Sequence, residues 1–197
     1  MNQQTLIFLG PQGSGKGTHA VELQSDLARL DPSRPVVHFE MGRNLRDIAA
    51  QDSYTGTLLR EIINRGELVP FNVSSAVLST YLMQHLQGNE HLIIDGFPRS
   101  DSQMEVLDAT MAFYKREHPT VVHINISDEE GLKRLLLRGR ADDTEENIRK
   151  RLAWTRAEWE KILARFKANP IYRILEIDGD RTIAEVHEDI LKQLNFA

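Results

Sequence analysis

Five short apolar runs punctuate the chain, at residues 5–9, 36–39, 92–95, 121–126 and 174–177. Each is short, apolar and rich in β-branched residues, the pattern of a strand buried on both faces. Between the runs, apolar residues return at helical spacing. The first such stretch covers 20–30 and is broken by Asp31-Pro32-Ser33-Arg34-Pro35. Alternating strands and helices predict an α/β fold: a five-stranded parallel sheet with helices on both faces. The segment between the second and third strands is too long for one crossover helix. It reads as three helices, 42–50, 56–64 and 71–86, punctuated by Gly66 and Pro70. A helical subdomain inserted at about 40–69 is the expectation. The longest helix is predicted over 143–168. Asp142, Asp143, Glu145 and Glu146 crowd its start, favourable for the helix dipole, and Asn169-Pro170 ends it. Thr182 with Glu185 three residues on predicts a capping box for the last helix. No repeat or low-complexity segment divides the chain, so 1–197 reads as one domain.

Composition narrows the function classes. A formal net charge of −5 argues against non-specific nucleic-acid binding. Positive charge must therefore be sought locally. The absence of cysteine excludes a disulfide framework, a thiolate nucleophile and a cysteine-based zinc site. The seven histidines have no ligand spacing, and none is assigned a role. No apolar run approaches a membrane span. Met1-Asn2-Gln3-Gln4 leads straight into the first strand, so a cytoplasmic protein without a signal peptide is expected.

The chemistry starts after the first strand, at Gly10-Pro11-Gln12-Gly13-Ser14-Gly15-Lys16-Gly17-Thr18. A strand, a glycine-rich turn, a lysine and a helix together make a P-loop. Its glycines let backbone N–H groups turn inward onto phosphate oxygens, above the positive end of the helix. Lys16 supplies a mobile charge for the β- and γ-phosphates. The residue after Lys16 is Gly17, and the hydroxyl comes one position later at Thr18. Mg²⁺ is therefore expected to be held through waters. A second stretch, His91-Leu92-Ile93-Ile94-Asp95-Gly96-Phe97-Pro98-Arg99, ends a strand in an acid. Asp95 there can orient Mg²⁺ and its waters, or simply form an Asp-Gly turn. Arg99 can clamp a phosphate with two parallel hydrogen bonds.

These motifs resemble those of the adenylate kinases, within the nucleoside monophosphate kinases. Gly10–Thr18 is similar to the family's phosphate loop and Asp95–Arg99 to its second signature. Gly66-Glu67-Leu68-Val69-Pro70 resembles the segment over the monophosphate base. Arg140-Ala141-Asp142-Asp143 through Arg151 resembles the signature at the end of its lid. The resemblance spans nearly the whole chain and implies reversible phosphoryl transfer from MgATP to AMP, giving two ADP. It implies ATP phosphates on Gly13, Ser14, Gly15, Lys16, Gly17 and Thr18, with Arg134 and Arg138 covering the ATP side. It implies AMP contacts from Met41, Arg46, Glu67, Leu68, Val69, Gly96, Phe97, Pro98, Arg99 and Gln103, and from Arg140 and Arg151. Lys16, Arg99, Arg138, Arg140 and Arg151 are the implied catalytic set. An amide such as Gln103 offers the donor and acceptor that an adenine edge requires. Arg181 falls in the loop implied to meet the ATP base, where it stacks on adenine or points to water. Asp142 and Asp143 either anchor the lid arginines or serve only as helix-start acids. Arg149 and Lys150 read as solvated, and Trp154 and Trp159 as packing.

The chain departs from the family in two further places. Met41 stands where a threonine usually contacts AMP, exchanging a hydroxyl for a flexible apolar chain. The lid, 137–143, is vestigial, because only Gly139 separates Arg138 from Arg140. There is no zinc-binding lid, and Mg²⁺ with ATP but no zinc is expected. Closure must be slight or come from a neighbouring chain, so a monomer is the default and a homo-oligomer stays open. A pyrimidine (UMP or CMP) monophosphate kinase with the same machinery is the alternative. Gln103 argues against it, because those relatives usually carry asparagine there. A nucleotide-binding regulator without turnover would lack the lysine or the phosphate arginines, and all are present here. A kinase acting on a small metabolite is disfavoured by the set of Arg46, Arg99 and Gln103.

Overall fold

The computed structural model describes residues 1–139 and 143–196. Strands β1 (Thr5–Leu9), β2 (Val36–Glu40), β3 (His91–Asp95), β4 (Thr120–Asn125) and β5 (Arg173–Asp178) form one sheet, ordered β2-β3-β1-β4-β5. Every pairing is parallel. The helices are α1 (Lys16–Leu30), α2 (Met41–Ala49), α3 (Tyr54–Asn64), α4 (Phe71–His85), α5 (Asp101–Phe113), α6 (Asp128–Arg138), α7 (Glu145–Ala168) and α8 (Ile183–Leu194). All five predicted strands are present, and their ends differ from prediction by at most one residue.

The two-residue period of a strand divides the core. Leu6 and Phe8 point to one face of the sheet and Ile7 and Leu9 to the other, and all four are buried. The first face is covered by Ala20, Leu23 and Leu27 of α1 and by Val186, Ile190 and Leu194 of α8. The second is covered by α4, α5 and α7 through Leu78, Leu82, Met104, Leu107, Met111, Ile162 and Phe166. Each such side chain contributes about 1.5–3 kcal/mol when fully buried, so the two layers hold the sheet rigid. The inserted helices α2 and α3 continue the second layer through Leu45, Ala49 and Leu59.

This topology also places the site. Chain leaving β1 enters α1 on one face of the sheet, while chain leaving β3 enters α5 on the other. β1 and β3 are neighbours, so a crevice opens between their carboxyl ends. Four helices start elsewhere than predicted: α2 at Met41 and α3 at Tyr54 begin one and two residues early, and α1 and α7 differ by four and two. α1 begins at Lys16, because residues 16–19 are polar and add no apolar period although they are helical. α7 begins at Glu145, where the Thr144 side chain accepts from the N–H of Asn147. Among the described residues, no helix is long and apolar enough to cross a membrane.

Candidate active site

The phosphate loop wraps the start of α1. Gly13 has φ 84°, and a Cβ there would stand 2.8 Å from the carbonyl oxygen of Gly131. Gly15 caps α1 in a left-handed conformation and supplies no side chain to the first-turn N–H groups. Those donors are left facing the crevice, the arrangement in which a helix end holds an anion. Lys16 Nζ donates to the carbonyls of Gly10 at 2.6 Å and Pro11 at 2.7 Å, and to Ser14 Oγ at 3.3 Å. Burial holds its pKa down to about 8; Arg99 and Arg138 add to the effect and Asp95 opposes it.

Asp95 ends β3 across from the loop. Burial pushes its carboxyl above the usual range, against the attraction of Lys16 and Arg99. Its Oδ2 lies 3.4 Å from where a Cβ on Gly17 would stand, so the glycine leaves that flank of the carboxylate open. Arg99 is fixed by an Nε–H bond to the carbonyl of Gly96, 2.8 Å. Its backbone N–H donates to Gln103 Oε1 at 2.6 Å, and Gln103 Nε2 donates to Ser74 Oγ at 2.8 Å. The amide thus has a fixed orientation, and each end keeps further hydrogen-bonding capacity.

The opposite wall is built on α6 and α7. Arg138 donates from Nε and Nη2 to the two carboxylate oxygens of Asp143, both at 2.9 Å. Arg151 donates from Nη2 to the same carboxylate at 2.6 Å. Burial opposes ionisation of Asp143, but these bonds outweigh it and hold its carboxyl below the usual range. Arg134 is held by Glu130 at 2.7 Å and by the carbonyl of Gly179 at 2.9 Å. Arg181 is held by Asp189 at 2.6 Å and by the carbonyl of Asp178 at 3.0 Å. Helix α7 also meets the inserted segment: Trp154 Nε1 donates to the carbonyl of Gly66 at 3.1 Å, and Asn147 Nδ2 to that of Asn64 at 2.9 Å.

One cleft of 1020 Å³ joins these walls. That is at the top of the roughly 300–1,000 Å³ typical of small-molecule sites. Lys16, Arg46, Arg99, Arg134, Arg138, Arg151 and Arg181 line it, a local cationic surface on an acidic chain. Gly66, Glu67, Leu68, Val69 and Gln103 line it on the side of the inserted helices.

The family model for adenylate kinase matches residues 8–171. The chain belongs to the adenylate kinase family. It is 32% identical to an adenylate kinase of Prochlorococcus marinus, over 96% of this chain and 97% of that one. It is 34% identical to an adenylate kinase of Thermus thermophilus, with 98% of each chain covered.

Set beside the family's motifs, most of the predicted positions meet in this one cleft. Some details differ from the sequence reading. Met41 borders the cleft but is only 1% exposed and packs into the core, because an apolar chain at the start of α2 gains by burial there. Phe97 is likewise core, and the peptide bond between it and Pro98 is cis. Arg181 lines the cleft tethered to Asp189, so it does not simply point to water. Asp143 is no helix-start acid, since it lies before the cap and anchors two arginines. Trp154 borders the cleft as well as packing. Arg140, Ala141 and Asp142, with the middle of the predicted lid, lie outside the described residues.

Proposed function

We infer that this chain catalyses reversible transfer of the terminal phosphoryl group of ATP to AMP, giving two molecules of ADP. One observation carries the reading: Lys16, Arg99, Arg138 and Arg151 line a single cleft with a phosphate loop on one flank and Arg46 and Gln103 on the other. ATP phosphates rest on the N–H groups of 13–18, with Arg134 and Arg181 toward the base. AMP lies against the inserted helices at 40–69. Arg46 and Arg99 hold its phosphate, the backbone of 67–69 lines its base and Gln103 reads the adenine edge.

An oxygen of the AMP phosphate forms the new bond to the γ-phosphorus as the bond to the β–γ bridging oxygen breaks, and the electron pair leaves on ADP. The attacking oxygen is already anionic, so no general base is required. The task of the protein is to offset repulsion between two polyanions and to stabilise the equatorial oxygens in flight. Lys16 and Arg138 approach from the donor side, and Arg99 and Arg151 from the acceptor side. Arg140 joins them by resemblance. The site suits Mg²⁺: Asp95 presents a buried carboxylate with an open flank beside Gly17, and the Thr18 hydroxyl borders the same cleft. Asp95 would hold the ion through waters, and the ion would neutralise charge on the β- and γ-phosphates.

A panel of monophosphates with MgATP tests the reading. ADP should form fastest with AMP, and faster turnover of UMP or CMP would overturn the assignment of the base. Arg46→Ala should raise the KM for AMP by about tenfold or more and leave that for ATP nearly unchanged. An equal rise in both would move Arg46 out of the acceptor site.

A further inference from the structure

A second constellation lies on the α1–α8 side of the sheet. His19 is 2% exposed and sits one turn beyond the phosphate loop. Glu22 follows on the same face of α1, and His187 reaches them from α8. Glu22 Oε2 is 3.3 Å from His19 Nδ1 and 3.2 Å from His187 Nδ1. All three ligand atoms lie within 4.8 Å of one another. The two imidazole rings are stacked, with centroids 5.8 Å apart and planes 10° from parallel.

These three atoms are buried, and none makes a hydrogen bond. Two ring nitrogens and a carboxylate oxygen therefore converge at contact distance out of line for N–H···O bonding. Buried polar atoms are ordinarily satisfied, so three orphans facing one point call for an explanation. We propose that His19 Nδ1, Glu22 Oε2 and His187 Nδ1 form a binding site for a divalent transition metal of the zinc class, clamping α1 to α8.

The distances match that chemistry. Tetrahedral zinc with bonds of about 2.0–2.1 Å sets its ligand atoms roughly 3.3 Å apart. Two of the three edges already have that length, and the third is within 4.8 Å. Two imidazoles with one carboxylate favour zinc over Mg²⁺ or Ca²⁺, which take oxygen ligands. The outer shell is also in place. His187 Nε2 lies 2.8 Å from Asp26 Oδ2, and Asp26 is held in turn by Arg29 at 2.8 Å. A carboxylate behind a ligating histidine fixes the tautomer that leaves the inner nitrogen free for metal. His19 and Glu22 also border the nucleotide cleft, which gives the ion an entry path and an open fourth position for water. Metal on Nδ1 leaves Nε2 of His19 carrying its proton beside Gly15, where a Cβ would stand 3.3 Å from that nitrogen. The site thus ties the C-terminal helix to the phosphate loop. It stands independently of the phosphotransfer reading.

The test uses the full chain, stripped with chelator and without nucleotide, and Zn²⁺ or Co²⁺ as the probe. Expected are one Zn²⁺ per chain after dialysis, a thermal midpoint raised by several degrees, and the visible absorption of tetrahedral Co²⁺. His187→Gln and Glu22→Gln should each weaken binding by about 100-fold or more and abolish both the midpoint shift and the cobalt bands. Asp26→Asn, which removes only the outer carboxylate, should weaken it about 10–100-fold. Circular dichroism of each metal-free variant separates loss of the site from loss of the fold, and Glu22 is exposed enough that its replacement spares the core. No stoichiometric metal on the parent chain, or binding left intact in both glutamine variants, would overturn the proposal.

Discussion

Two carboxylates organise cations around the cleft, and they do so in opposite ways. Asp143 is gripped by direct hydrogen bonds from Arg138 and Arg151, which hold its pKa below the usual range. Asp95 feels Lys16 and Arg99 through space, and burial wins, so its pKa rises. Lys16, on the other side of that interaction, is brought down to about 8. The corner between α6 and α7 is thus electrostatically settled before any ligand arrives, whereas the β1–β3 crevice is under tension. A buried lysine and a buried carboxylate that each resist ionisation gain most from a polyanion and its counter-ion. The settled corner positions arginines, and in the proposed reaction the tense crevice is where binding and chemistry gain most.

Replacing the tense group should have the largest effect on rate. Lys16→Met should lower turnover on the order of 10³-fold in a coupled assay of ADP formation. Unchanged turnover would remove the crevice from the chemistry. The two carboxylates then separate the regions by stability. Asp143→Asn leaves two guanidinium groups without their buried anion and should cost about 3 kcal/mol in urea unfolding. Asp95→Asn removes a charge that burial already disfavours, so the metal-free, nucleotide-free protein should keep its stability while turnover collapses. Equal destabilisation by both would erase the contrast. The sign of the acid limb follows from the same shifts. The folded pKa of Asp143 is depressed, so its contribution is present above the unfolded value and is lost as pH falls through the folded one. Asp143→Asn should flatten that limb.

Much of this was legible in the sequence, for physical reasons that differ by element. β1, β3 and β4 are buried along most of their length and need near-continuous apolar runs, whereas the edge strands β2 and β5 are only half-buried or exposed at alternate positions and kept just enough apolar residues to be found. The Thr182 and Glu185 capping box is a local device and is present as read. The phosphate loop is local too, since its work is done by backbone on consecutive residues. What sequence could not show is who meets whom across the fold. The start of α1 hid because Lys16-Gly17-Thr18-His19, which line the cleft, carry no apolar period. Asp143 looked like one acid among several, and only tertiary packing makes it an anchor. The tether from Asp189 to Arg181 and the convergence of His19, Glu22 and His187 join segments that no spacing rule connects. Met41 stands where resemblance implies an AMP contact, yet nearly all of its side chain is core.

A pH profile sharpens the contrast at a smaller scale. Phosphate binding needs Lys16 charged, and its pKa in the free protein is about 8. The kcat/KM for ATP at AMP well below its KM should therefore be level just below that pKa and fall about tenfold per unit above it. Bound phosphate favours the charged amine, so the corresponding limb of kcat should lie at higher pH. A flat kcat/KM to about pH 10 would mean that the crevice holds no such tension. With Asp95→Asn the attraction that raises the pKa of Lys16 is gone, and the limb should move to lower pH.

The smallest effect expected lies at the contact between α7 and the inserted helices. Trp154 reaches across to the carbonyl of Gly66, and Gly66 itself has φ 67° with Asn147 packed where a Cβ would point, 3.2 Å from its carbonyl oxygen. This contact joins the settled corner to the segment proposed to cover the acceptor base, a link that does not depend on a long lid. Trp154→Phe keeps most of the ring area and removes the N–H donor, so it should cost about 1 kcal/mol. If α7 holds the acceptor side in place, the cost should appear mainly as a several-fold higher KM for AMP, with the KM for ATP unchanged. A loss confined to thermal stability would instead make Trp154 a packing residue and leave the inserted helices to close on AMP by themselves.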